Sequence, residues 1–221
     1  MNIYIVVEGE VGARKLYQHW VPLVNPNLIY VDHISLVVRN NFSILSGGGY
    51  PQYFDTIASA IDDVNSLNNI DRLVISVDSE ELSFNEKSDE MFEFLSKFEC
   101  KSEIKIIIQH FCLETWALGN RAIIRTNPQL PSLIRYRRFY NVRSRDPESL
   151  PPYDLEELNR SQFAAKYLRH ALNDKYRNLT YTKSNPRALL HNNYFERVKE
   201  RYEQTNHIKS FCDFLSAFTY A

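Results

Sequence analysis

Apolar and polar positions fall into alternating blocks along the first half of the chain. Ile3 to Val7 is an unbroken, mostly β-branched run, the pattern of a strand buried on both faces. It ends at Glu8-Gly9, and an amphipathic stretch from Val11 to Trp20 follows, closed by Pro22 and Pro26. Leu28 to Asp32 and Ile34 to Arg39 predict one interrupted strand or a pair. A glycine loop, Ser46 to Pro51, leads into Gln52 to Leu67, with helical apolar spacing at Phe54, Ile57, Ala58, Ile61 and Val64. Leu73 to Asp78 predicts a second buried strand, running out into Asp78, Glu80 and Glu81. A helix over about 86–98 presents Met91, Phe92, Phe94, Leu95 and Phe98 as its apolar side. A further strand, 103–109, is followed at once by His110 and Glu114 and by a short helix over about 112–119. Strands alternating with helices of this length predict an α/β fold, a mostly parallel sheet flanked by helices.

The rest of the chain reads differently. Arg121 to Pro152 has no sustained period and predicts loop with short elements. Helical spacing returns over about 154–177 and 192–220, a C-terminal helical extension whose last stripe includes Phe195, Val198, Phe211, Phe214 and Phe218. At 221 residues and 44% hydrophobic, the chain can bury one substantial core or a domain with an appendage. The net charge of −1 hides a polarity: residues 1–120 carry 8 Lys+Arg against 17 Asp+Glu, while residues 121–221 carry 18 against 10. A basic half facing an acidic one suggests an anionic partner or attraction between the halves. The three cysteines form no CxxC pair and suit a reducing compartment. No apolar run reaches the roughly 20 residues of a membrane span, and no basic leader precedes an apolar stretch. A cytoplasmic protein without membrane partners is expected.

The chemistry that stands out is carboxylate. Glu8, Asp78, Glu80 and Glu114 all follow apolar strands, where open α/β sheets place their ligands, with Glu10 and Glu81 beside them. Hard oxygen donors suit Mg or Mn, and magnesium commonly takes one or two carboxylates together with water and phosphate oxygens. Acids at such positions also cap helix N-termini, so the signal lies in the set. His110 is a further accessory candidate, although a lone histidine is more often a structural hydrogen-bond partner. The remaining histidines lack ligand spacing, which argues against zinc. Gly47-Gly48-Gly49 lacks the lysine and hydroxyl of a P-loop and reads as a tight turn. Arg135-Tyr136-Arg137-Arg138-Phe139-Tyr140 interleaves guanidiniums with rings, as nucleic-acid surfaces do. Lys166, Arg169, Lys175, Arg177, Lys183 and Arg187 extend the basic series.

The Val7-Glu8-Gly9 turn, the Val77-Asp78-Ser79-Glu80 turn and Phe111 to Gly119 around Glu114 and Trp116 together resemble a Toprim domain. The likeness is to the small OLD-like and RloB-like nucleases of bacterial defence (abortive-infection) systems, and it covers residues 1–120. Residues 121–221 then form a basic, mainly helical extension packed on that domain. The resemblance implies a metal-dependent nuclease hydrolysing phosphodiester bonds of DNA or RNA, tRNA among them. Glu8, Asp78 and Glu80 would be its catalytic residues, and Glu8, Asp78, Glu80 and Glu114 its Mg or Mn ligands. It further implies an anti-phage role beside a separate ATPase subunit. Arg135, Arg137, Arg138 and Lys166 are the expected nucleic-acid contacts, and a homo-oligomer is compatible. Gly12 departs from the family's pattern, standing where many OLD-type members carry an acid. That departure favours the alternative, a catalytically inactive Toprim-like module acting through a partner protein.

Overall fold

Five parallel strands form one sheet in the order β2-β3-β1-β4-β5, flanked by helices, in a computed structural model that describes residues 1–9, 11–176 and 179–219. The strands are β1 (Ile3–Val7), β2 (Ile29–Tyr30), β3 (Asn41–Ser46), β4 (Arg72–Asp78) and β5 (Glu103–Gln109). The helices are α1 (Val11–Val24), α2 (Gln52–Leu67), α3 (Phe84–Leu95), α4 (Leu113–Ala117), α5 (Pro131–Phe139), α6 (Arg160–Lys175), α7 (Asn192–Thr205) and α8 (Phe211–Ala217). Central β1 pairs with β3 and with β4 in register, Val7 lying opposite Ser46 on one side and Ser76 on the other. All five β1 residues are buried, as a strand covered on both faces requires.

The chain divides into two compact units. The first comprises residues 1–77, 85–108 and 213–221, and the second residues 78–84 and 109–212. The boundary expected at residue 120 falls inside the second unit. Local reasons are visible: the last residues of β4 and β5, Asp78 and Gln109, belong to the second unit, while most of α8 belongs to the first.

In the first unit, α1 packs on β3 and α2 on β1. Tyr17 and Trp20 of α1 meet Phe214 of α8 edge to face, with ring centroids 5.2 and 6.1 Å apart. Buried Arg72 donates to the carbonyls of Ala217 (2.6 Å) and Thr219 (3.1 Å) and pairs with Glu103 at 2.6 Å. Its charge-assisted bonds therefore fix the end of α8. Gly47 donates to the Val7 carbonyl at 2.8 Å, and Gly9 to the Gly48 carbonyl at 2.7 Å. Gly9 and Gly48 take positive φ of 90° and 70°, so the glycine loop folds back on the end of β1 as a tight turn.

The second unit is built from α4, α5, α6 and α7. Tyr136, Tyr153, Phe163 and Tyr167 form an aromatic core, with Tyr153 and Phe163 stacked at 4.7 Å. Asn159 begins α6 with a reciprocal capping box to Gln162. Buried Arg201 donates to the carbonyls of Val142, Arg143 and Arg145, closing the irregular segment after α5.

Three local expectations are corrected and one is sharpened. Ile34 to Leu36 forms a 3-10 turn, because the His33 ring accepts from the Ser35 amide; the strand lies later, at β3. Pro22 sits inside the last turn of α1, which runs on to Val24. Within the stretch expected as loop with short elements, the arginine-tyrosine segment forms the nine-residue helix α5, begun by Pro131 at its first position. The final helical stretch breaks at Asn206, which adopts φ 55° and caps α7.

Candidate functional site

In the second unit, Asp78, Glu80 and Glu114 act on one amine. The Lys183 ammonium is held above the ordinary lysine range, chiefly by the charge of Glu114; burial opposes this, and Asp78, Cys112 and Glu80 add to it. Asp78 is the half-buried last residue of β4. Glu80 lies two residues on, in the left-handed region at φ 50°, where residues other than glycine are uncommon. Its amide donates to the Phe111 carbonyl at 2.8 Å, and its carbonyl accepts from Arg160 at 3.3 Å. Glu114 stands in the first turn of α4, 2% exposed, where the free amides of a helix start favour an anion. It accepts a hydrogen bond from the Tyr181 hydroxyl at 2.8 Å.

The same acids mark their other neighbours. Burial pushes the Tyr181 phenol upward, and Glu114 and then Asp78 add to the effect. Burial likewise raises the Cys112 thiol far above its usual range, again with help from Glu114 and Asp78. That thiol is a neutral, inert core group. Three carboxylates from two parts of the chain thus share one electrostatic neighbourhood with Lys183, Tyr181 and Cys112. Among the described residues, no three His, Cys, Asp or Glu side chains form a group that could hold a metal ion by themselves. The donor chemistry still suits a hard ion, since magnesium needs only one or two carboxylates besides water and phosphate oxygens.

The other candidates have different surroundings. Glu8 belongs to the first unit, half-buried after β1, its amide donating to the Ser76 carbonyl at 2.8 Å. Tyr53 is pushed up to about 12, mainly by burial, and the Glu8 charge is among the contributors. Lys87 donates to Tyr53 at 2.8 Å and to Glu90 at 2.6 Å in the same unit. Glu81 is a structural anchor: its carboxylate accepts from the Arg160 amide at 3.0 Å and from the guanidinium at 3.4 Å, fixing the start of α6. The ring of His110 bonds Ser79 at 2.8 Å, and burial followed by the Arg160 charge lowers its pKa, so the imidazole is neutral. Glu10 and Arg177 lie outside the described residues.

The basic segment also reads differently in three dimensions. Tyr136 and Tyr140 are buried, so their faces serve the protein core and are not open to bases. Arg137 donates to the Arg125 and Thr126 carbonyls at 2.9 and 2.6 Å. Arg135 and Lys166 both approach Glu156, at 3.6 and 2.7 Å. Arg138 is exposed on α5.

Sequence reasoning missed Tyr181 and placed Lys183 with the nucleic-acid series. Their partner Glu114 is 67 residues from Tyr181, and no local pattern links them. Compared with known proteins, the chain matches no family model, no curated protein and no solved structure.

Proposed function

We propose that this chain is a divalent-metal-dependent nuclease that hydrolyses phosphodiester bonds of DNA or RNA. The supporting observation is that the charges of Glu114, Asp78 and Glu80 all raise the Lys183 ammonium within the second unit. Asp78 and Glu80 would hold a Mg or Mn ion, with Glu114 as a further ligand or as support behind them. Such an ion supplies Lewis acidity toward the phosphate oxygens. Lys183 neutralises carboxylate charge and presents an ammonium to the scissile phosphate. Neutral His110, oriented by Ser79, contributes an uncharged hydrogen-bonding ring beside the acidic turn. The Toprim-like order of strands and acids supports the same reading, and with it a role in phage defence beside a separate ATPase chain.

The purified chain is incubated with single- and double-stranded DNA, RNA and tRNA, with and without manganese, alone and beside an ATPase partner. Metal-dependent cleavage is expected, reduced at least 100-fold in Asp78→Asn and Glu80→Gln with the circular-dichroism spectrum unchanged. Cleavage that both variants retain, or none in any arm, overturns the proposal. A second reading has its own observation. Tyr181 and Lys183 already compensate Glu114, so the acids can be a metal-free ion cluster in an interaction module acting through a partner protein.

A further inference from the structure

A cavity of about 510 Å³ opens in the second unit, a volume typical of small-molecule sites. Leu172, Tyr176, Tyr194 and Leu190 give it an apolar and aromatic wall, and Asn193 and Arg197 a polar edge. The hydroxyl of Tyr194 is spent on the Ala117 carbonyl at 2.8 Å, whereas the Tyr176 side chain is 40% exposed. A recess of about 320 Å³ adjoins this cavity and shares Ala122 and Arg197 with it. Four arginines, Arg121, Arg143, Arg197 and Arg201, line the recess against a single carboxylate, Glu200.

The charge there is poorly compensated. Arg201 is 1% exposed and uses its nitrogens on backbone carbonyls and His207, so it contributes field more than contacts. Burial first, and then the charge of Arg121, lowers the Arg201 guanidinium to about 10, with Asp146 opposing. The Nε of Arg121 is buried with no hydrogen-bond partner. Arg143 is held by the Thr126 hydroxyl at 2.6 Å. Arg197 meets Glu200 one turn along the same exposed helix face at 2.8 Å, a pair worth little in water and readily exchanged for a stronger anion.

We propose that the two recesses together form a binding site for a nucleoside phosphate, the base lying against Tyr176 and the apolar wall and the phosphate between Arg121 and Arg197. Guanidiniums match phosphate oxygens in paired geometry, and an aromatic face accepts any base. Inorganic phosphate alone would leave the aromatic cavity without a role, and an apolar ligand would leave the arginines uncompensated. The phosphate can come from a free mononucleotide or from the end of a nucleic-acid strand.

Calorimetric titration of the full chain, without added divalent metal, separates this site from the proposed nuclease centre. The probes are AMP, GMP, CMP and UMP, the corresponding nucleosides, inorganic phosphate, and an oligonucleotide with and without a 5′-phosphate. Saturable binding of mononucleotide at one per chain is expected, at least tenfold tighter than nucleoside or phosphate alone. Arg197→Ala and Tyr176→Ala, both at exposed side chains, should each weaken binding about tenfold with unaltered thermal unfolding. Tighter binding of the 5′-phosphorylated strand than of the mononucleotide identifies a strand end as the ligand, and the reverse identifies a free nucleotide. No binding of any mononucleotide at millimolar concentration, or equal binding by both variants, overturns the proposal.

Discussion

Glu148 gives the sharpest stability prediction. Its carboxylate is pushed up to about 7 from the ordinary 4.5, mainly by burial, with Asp146 adding and hydrogen bonds from Ser210 and Lys209 opposing. The Ser210 amide donates to it at 3.0 Å, and the Ser210 hydroxyl also accepts from the Trp116 indole at 2.7 Å. A folded-state pKa above the unfolded one means that the native state binds the extra proton, so stability falls as pH rises between these values. At about 1.4 kcal/mol per pH unit, the range from 4.5 to about 7 corresponds to about 3 kcal/mol, an upper bound because the side chain keeps some contact with water. Glu148→Gln keeps a carbonyl acceptor for Ser210 and removes the titration. Unfolding free energies from urea titrations at half-unit steps between pH 4 and 8 should therefore diverge. The variant gains 2 to about 3 kcal/mol on wild type between pH 4.5 and 7.5 and runs parallel to it outside that window. His110, His170 and His207, all lowered chiefly by burial, favour higher pH, but they are present in both proteins and cancel in the difference. Parallel curves across the whole range would refute the buried, protonated carboxyl.

Three further substitutions probe other parts of the fold. Arg72→Ala strips the Ala217 and Thr219 carbonyls of their donor and should cost about 2–3 kcal/mol in urea unfolding; a change within 0.5 kcal/mol refutes the anchoring of α8. At Gly119 an added Cβ would lie 2.8 Å from the Trp116 carbonyl and 2.8 Å from Ile208, so Gly119→Ala should cost about 2 kcal/mol, and a neutral outcome contradicts the packing. Tyr181→Phe leaves buried Glu114 without its hydroxyl donor and should cost about 1–3 kcal/mol. If unfolding of that variant matches wild type, the hydroxyl bond does not hold Glu114.

Much of the sheet was legible because β1, β4 and β5 carry mostly apolar runs. The predicted bounds of β5 and α2 match the structure residue for residue, since Ile104 to Ile108 and the spacing from Phe54 to Val64 allow one period each. The β-branched residues of Ile34 to Val38 misled for the same reason: a strand-like composition there is overruled by a side-chain cap that tightens the backbone into a 3-10 turn. The Asn41 start of β3 carried a turn-like residue and hid the strand. In α5, Leu133 and Tyr136 follow helical spacing, but the density of arginine masks the period. The candidate acids were readable as strand-end residues. Their relation to Lys183 and Tyr181 was not, because that proximity is created by tertiary packing.

The most direct test of the central claim is manganese binding followed by electron paramagnetic resonance, with free ion counted against protein. Wild-type chain should take up manganese saturably, and Asp78→Asn and Glu114→Gln should each leave most of the ion free while remaining folded. A free-ion signal that is the same for wild type and both variants would contradict a divalent-ion centre among these acids.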